Sequence, residues 1–587
     1  MWQYFIGIKN FGEENFTVTN LLGIFQIMCG IYIYLHPTDR PPPPLDPLLL
    51  SLLQARGPDI CRQGSIQLGN GLTLTYCCTV LWLQGVKPQA QPVTDAVGNV
   101  LIWNGDVYNR ENLGDENNNE CDTTLLAARL GEAVTEKRVL EVFGSVKGPW
   151  AFVYLHKATN SLWFGRDSFG RSSLLIQKLE EGLILTSVSS ADLRGLSEVN
   201  TMVSKGMFNI ECLFQVPARG IFQLALPSQE LTLHPWKNLP RIEHGDYLDG
   251  LQITSPLDTL DTFSEVWEPL EDLLTEEEVF SQLLQRPRVK AAVGKLLELL
   301  RNSIDRRVVR HQPQRCKACV VTGMAKESCS HPTVSVLLSG GVDSSLLALL
   351  VAQALPDRPI PLVNVAFQQG NGSYEVPDRL TGIEAVVELN QLLPGRDLEL
   401  TCVNVSKEEL VEARLERIQH LLHPLSTVLD DSIGCAIWFA AREAGRSARV
   451  VVLGMGIDEQ LGGYSRHRTA FAKGGPEALA AEIRMEVGRI SERNLGRDDR
   501  IVSDHGISAR YPFLDEDFVN FLTSLELSLK CDFRLGRGLG EKLVLRLAAH
   551  SLGLKGAARQ QKRAVQFGSR IAKMENKKEK AHHKAVR

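Results

Sequence analysis

Nowhere do the 587 residues run to the ~18 consecutive apolar residues that a membrane span requires. Charge of one sign is missing too: 64 Lys and Arg against 69 Asp and Glu leave a net charge of −5, with a pI of about 6.3. That balance gives no hint of a nucleic-acid partner. The 12 cysteines are scattered without an even, closely spaced framework, which excludes a small disulfide-stapled fold and suits reduced thiols in a cytoplasmic chain. A Walker A loop, G-x-x-x-x-G-K-[ST], is absent. The length leaves room for two or three domains.

What is present concentrates in residues 334–350, VSVLLSGGVDSSLLALL. An apolar run, Val334 to Leu338, stops at Ser339-Gly340-Gly341, and a second apolar run follows with helical character. The pattern predicts a buried parallel strand, a tight glycine turn and a helix N-terminus. Such a junction offers unpaired backbone N–H groups and the positive end of a helix dipole to an anion, and glycine lets the main chain come close. Ser339, Ser344 and Ser345 add hydroxyls, and Asp343 adds a carboxylate able to hold magnesium against phosphate oxygens.

The motif S-G-G-x-D-S resembles the pyrophosphate loop of ATP-pyrophosphatases, and specifically the synthetase half of glutamine-dependent asparagine synthetases. Three further segments are similar to that family and lie in its order: VVLGMGIDEQLGGYSRHR (451–468), ARYPFLDEDFV (509–519) and KRAVQFGSRIAK (562–573). The resemblance implies a doubly wound parallel sheet at residues 334–587 that binds ATP with magnesium. It implies phosphate contacts at Leu338, Ser339, Gly340, Gly341, Asp343, Ser344, Ser345, Gly454 and Gly456, metal ligation by Asp343 and Asp458, and a catalytic Lys562. The predicted parallel strands are Val334–Leu338, Leu362–Phe367, Leu400–Val405 and Arg449–Leu453, with ligands at their C-terminal ends.

Residues 29–225 carry a second resemblance. Met28-Cys29-Gly30-Ile31, Arg56-Gly57-Pro58-Asp59, Gln91-Pro92-Val93, Trp103-Asn104-Gly105-Asp106, Cys121-Asp122 and Gly165-Arg166-Asp167 follow the order of the class II glutamine amidotransferase domain, an αββα sandwich. By that resemblance Cys29 is the nucleophile and its own α-amine the base, since an amine titrating near ~8 can accept the thiol proton close to neutral pH. Asn104 and the Gly105 N–H form the oxyanion hole. Arg56, Asp106 and Asp122 bind glutamine, Asp122 taking its ammonium. Strands are expected at Leu72–Thr79, Val100–Trp103, Ala151–Leu155, Leu162–Phe164 and Leu183–Ser187, and a helix at Thr123–Glu132. Residues 1–28 read as an upstream extension rather than a propeptide; with them attached, Cys29 has an amide in place of its base. Residues 226–333 read as a connector, with an acidic, solvated block at 258–278 and a helix at Val289–Val309.

Several positions depart from the family. The arginine expected to hold the glutamine carboxylate falls on Val80, N-G-E becomes Asn104-Gly105-Asp106, and an acidic residue of the S-G-E-G-S-D-E segment becomes Met455. The segment for the substrate carboxylate seats Asp430 and Asp431 where an arginine is wanted, which predicts a cleft hostile to aspartate. Cys316 and Cys319, with Cys329 and His331 downstream, offer a zinc site as an alternative, but the spacing is unlike common structural zinc sites and the stretch reads as an unpatterned insertion with free thiols. Two functions follow. Cys29, Asn104, Asp122, Asp343, Asp458 and Lys562 favour a ligase that hydrolyses glutamine, adenylates a carboxylate and transfers ammonia, with small-molecule partners, no nucleic acid, no membrane, and a homodimer left open. Val80, Met455, Asp430 and Asp431 favour a regulatory nucleotide-binding scaffold without turnover.

Overall fold

The computed structural model describes residues 29–57, 59–85, 87–114, 120–180, 182–190, 213–236, 275–313, 316–322 and 329–574. The extension 1–28 and most of the acidic block lie outside these residues.

Three sheets organise the chain. The strands are β1 (Gly30–Pro37), β2 (Ile60–Gly69), β3 (Leu72–Val80), β4 (Val93–Thr94), β5 (Val100–Gly105), β6 (Trp150–His156), β7 (Ser161–Arg166), β8 (Leu175–Leu179), β9 (Gly182–Thr186), β10 (Phe214–Gln215), β11 (Gly220–Ala225) and β12 (Leu231–Pro235), followed by β13 (Val334–Leu337), β14 (Leu362–Phe367), β15 (Leu400–Val405), β16 (Val450–Val452) and β17 (Ser508–Arg510). The first two sheets run in the orders β10-β8-β9-β1-β3-β2 and β12-β11-β7-β6-β5-β4 and are antiparallel. The second sheet runs past residue 225, where the sequence reading ended this unit, because β11 folds back on β12 with Phe222 opposite Leu233.

Alternating side chains make a sandwich of these two sheets. Ile31, Ile33 and Leu35 of β1 meet Ile102, Val153, Leu155 and Phe164 from the facing sheet. The residues between, Leu101, Trp103, Phe152 and Tyr154, point the other way and are covered by the helices Asp122–Gly131 and Glu136–Ser145 through Leu126, Leu130 and Phe143. The outer face of the first sheet packs on the helix Pro47–Arg56, whose Leu49, Leu52 and Leu53 continue into the second half's core.

The third sheet is parallel, in the order β15-β14-β13-β16-β17. Both faces are covered by helices: Val334, Val336, Val450 and Val452 face one cluster, Val363, Val365 and Val451 the other. With β14 on one side of β13 and β16 on the other, chain order switches at β13. The turns after β13 and β16 therefore open side by side into a crevice. The fifth strand, β17, was not expected: Ser508-Ala509-Arg510 carries no apolar pattern of its own. Among the described residues no helix is long and apolar enough to cross a membrane.

Candidate active site

The crevice above β13 and β16 is a cleft of about 650 Å3. Its floor includes Ser339, the first residue of the turn Ser339-Gly340-Gly341 that leads into the helix Val342–Ala354. Gly340 has φ +80, and a Cβ there would lie 2.2 Å from the carbonyl carbon and oxygen of Thr381. Leu338, Ser339, Asp343, Ser344, Gly454 and Gly456 line the cleft as expected, and Gly340 and Gly341 line an adjoining niche with Lys542 and Lys562. Ser345 does not: it is fully buried and lines neither space, because the helix turns it inward.

Four charged groups meet at the turn. The Lys542 ammonium donates to both Asp343 oxygens at 2.8 Å and to Asp458 Oδ1 at 2.9 Å. Lys562 Nζ reaches Asp458 Oδ2 at 2.5 Å. Burial alone would raise the Asp458 carboxyl, but the two ammonium groups hold it well below the usual range, and Lys562 is raised in return. Lys542 is 1% exposed at its side chain and holds a left-handed backbone, φ +54, at the entry to the helix Leu543–Ser551. Strain of that kind persists only where the surrounding contacts over-determine the backbone, as the ion pairs of Lys542 do here. Glu459 next door accepts from the Tyr464 hydroxyl at 2.6 Å and the Asn494 amide at 2.9 Å, and burial beside Asp458 pushes it up to about 7.

The acidic pair does not face the cleft. Asp430 and Asp431 fall in the first turn of the helix Val428–Ser447, and both are buried. Asp430 bonds Arg497 at 2.9 Å and Thr427 at 2.5 Å, and Asp431 pairs with Arg414 at 2.6 Å. The helix instead turns Leu429, Ile433, Ala436, Ile437 and Ala440 to the cleft, a helical stripe. The expected repulsion of aspartate loses its physical basis, since arginines neutralise both carboxylates. The exposed Arg493, Arg537 and Arg563 also line the cleft, beside Met455.

The second site is smaller. Cys29, Val80, Asn104, Gly105, Asp106 and Asp122 surround a cavity of about 60 Å3, enough for two or so water molecules. Cys29 Sγ accepts from the Leu81 N–H at 3.2 Å, and burial pushes its thiol up to about 12. The Asn104 amide nitrogen is buried with no partner, as a waiting oxyanion donor would be. Arg56 is not at this cavity. Its guanidinium donates to the Cys29 carbonyl at 3.2 Å, to Asp499 at 2.9 Å and to Ser503, so it ties the two halves together and does not line the cavity as expected. Both acids are already engaged: Asp106 by Gln84 at 2.6 Å and Arg510 at 3.3 Å, Asp122 by the Val107 N–H at 2.7 Å and Arg110 at 3.1 Å. Burial pushes Asp122 up to about 7, against the pull of Arg110.

The helix Gly496–Ser503 stands between the sites, with Arg497 lining the large cleft and Asp499 the Cys29 cavity.

Comparison with known proteins decides the relationship. The asparagine synthase family model matches residues 324–477 and 471–585, and a glutamine amidotransferase domain matches 80–193. Asparagine synthetase domain-containing protein 1 of Mus musculus is 38% identical over 92% of this chain and 96% of its own. The chain belongs to the asparagine synthetase family. A Drosophila melanogaster relative, asparagine synthetase domain-containing protein CG17486, is 35% identical over 91% of this chain and 95% of its own. The glutamine-hydrolyzing asparagine synthetase of Gallus gallus is 23% identical over 84% of this chain and 75% of its own.

Against that family background, Lys542 is the site-lining residue that sequence reasoning missed. It lies in GEKLVLRLAA, 199 residues from Asp343. Gly463 is a second, since a Cβ there would strike Asp458 Oδ1 at 1.9 Å. The carboxylates suit magnesium chemically: Asp343 and Asp458 are hard oxygen donors beside an anion turn, and each oxygen keeps a lone pair beyond its bond to an ammonium group. Two lysines already balance the two aspartates, so a dication fits there in the company of phosphate charge.

Proposed function

We propose that this chain is an asparagine-synthetase-type amidotransferase. Its second half binds ATP with magnesium and adenylates a carboxylate, and its first half supplies ammonia from glutamine through Cys29. The observation that carries the reading is Lys542 bridging Asp343 and Asp458 at the Ser339–Gly341 turn. The turn N–H groups and Lys542 hold the β- and γ-phosphates, and the apolar strand ends Leu337, Val363 and Val365 give the nucleotide a dry wall. Asp343 and Asp458 would hold magnesium, which when bound would supply charge neutralisation for the phosphates. An oxygen of the acceptor carboxylate attacks the α-phosphorus, and the bond to pyrophosphate breaks. Ammonia then attacks the acyl carbon, AMP leaves, and Glu459, poised near neutrality, takes the surplus proton. The rim arginines Arg493, Arg537 and Arg563 suit an anionic acceptor, of which aspartate is the family's example.

A second reading, synthesis from free ammonium with a silent glutaminase half, is favoured by the raised Cys29 thiol, the small cavity and the engagement of Arg56 elsewhere. ATP–pyrophosphate exchange across candidate acids, with glutamine or ammonium as donor, separates the two. Lys542→Met and Asp343→Asn are expected to weaken magnesium-dependent ATP binding at least about tenfold by calorimetry. Unchanged affinity in folded variants would sink the assignment of this turn.

A further inference from the structure

Cys316, Cys319 and Cys329, read from the sequence as free thiols with a zinc site as the weaker alternative, converge with His331 to one point. Their ligand atoms all lie within 4.8 Å of one another. Cys329 Sγ is 3.5 Å from Cys316 Sγ, and His331 Nδ1 is 3.7 Å from Cys319 Sγ and 3.6 Å from Cys329 Sγ. A zinc tetrahedron with ordinary bond lengths has edges of about 3.8 Å between sulfurs and about 3.6 Å between sulfur and imidazole nitrogen. A disulfide would require about 2.0 Å. The spacing is therefore that of four donors around a missing centre, and it is wrong for any covalent pair among them.

We infer that these four residues bind one zinc ion in a closed, structural Cys3His site. Three soft thiolates and one imidazole in a tetrahedral set are zinc's preferred donors. Cys316 and Cys319 are buried, and the Cys319 N–H donates to Cys316 Sγ at 3.3 Å, which orients that sulfur and steadies its negative charge. The remaining charge of a zinc tris-thiolate has cations nearby. Arg358 donates to the carbonyls of Cys329 and His331, and Lys317, adjoining Cys316, donates to the Gly445 carbonyl at 2.6 Å.

The position in the fold gives the ion its work. The cluster begins five residues after His311, whose carbonyl accepts from Arg510 at 2.6 Å, and ends at His331, three residues before β13. Thr333, between His331 and β13, accepts from the N–H of Arg449, the arginine that reaches across to Asp59 and the Trp82 carbonyl of the first half. The zinc would pin the approach to β13, and with it the Ser339 turn, without touching the cleft.

The test counts metal in the whole chain. Protein purified without added metal and without a metal-affinity tag should hold about one zinc by plasma mass spectrometry, releasable by a mercurial that blocks thiols. Exchange with cobalt(II) should give thiolate-to-cobalt charge-transfer and tetrahedral ligand-field bands. Cys316→Ser and Cys329→Ser should lower zinc to below about a tenth per chain, and because loss of a ligand can unfold the chain, His331→Cys, which keeps four donors, should retain about one. A folded wild-type chain with neither zinc nor cobalt–thiolate bands, a chain carrying iron there, or a Cys316–Cys329 disulfide in a peptide map would overturn the inference.

Discussion

A carboxyl group's behaviour depends on what it is pressed against, and Asp378 shows it without any help from a catalytic role. It lines the cleft, hard against the backbone of Gly568, and burial pushes it up to about 7 while Lys562 and Arg563 pull the other way. A folded-state value above the unfolded one means that the folded chain holds this proton more tightly. The stability so gained is complete below pH ~4 and is lost as pH rises to about 7, at up to about 1.4 kcal/mol per pH unit. Asp378→Asn removes that proton, so urea midpoints should fall less steeply across this window; an unchanged slope would place the group's true value near the ordinary one. The sequence exposed single residues unevenly. Asp343, Asp458 and Lys562 could be read from their motifs. Lys542 could not, because its place depends on a chain reversal that brings Leu543–Ser551 under the sheet. The local hint is a lysine wedged between a glycine turn and an apolar helix.

At the scale of the element, the β13 turn is the clearest case of backbone dictating residue. Ala at 340 would pay left-handed strain of about 1 kcal/mol or more and place a methyl inside the Thr381 carbonyl. Gly340→Ala should therefore lower unfolding stability by at least about 2 kcal/mol and abolish nucleotide binding, measured by urea melts and calorimetry on the same sample. Normal ATP affinity would show that the anion sits elsewhere. The apolar runs of β13 and β14 were legible because both faces of these parallel strands are buried. β2, with Arg62, Gln63, Ser65 and Gln67, was not, since its pairing to β3 supplies what its side chains do not. Asp430 and Asp431 misled for a related reason. Sequence proximity to a substrate segment says nothing about which way a helix's first turn points, and Thr427 caps this one so that both acids face arginines.

The whole molecule is held together by arginines that the sequence could not pair. Arg56 meets Asp499 443 residues away, Arg171 meets Glu516 at 2.5 Å, and Arg500 donates to Ser173 and Gln215 at 3.0 Å. Each is buried, and stripping a partner from such a pair leaves a charge stranded away from water. The family of each half was thus readable while their mutual grip was not. That grip has a consequence for how the two sites sense each other. The helix Gly496–Ser503 is a wall of both cavities, so whatever displaces it from one side alters the shape of the other. Equilibrium coupling runs equally in both directions. In a Cys29→Ala chain, which cannot turn glutamine over, ATP with magnesium should change glutamine affinity by about fivefold or more, and glutamine should change ATP affinity by the same factor. Two titration calorimetry series would decide it, and independent affinities would mean that the shared wall is rigid. If the factors agree, the half that carries Cys29 answers to the occupancy of the half that carries the Ser339 turn through one helix, and each site carries news of the other.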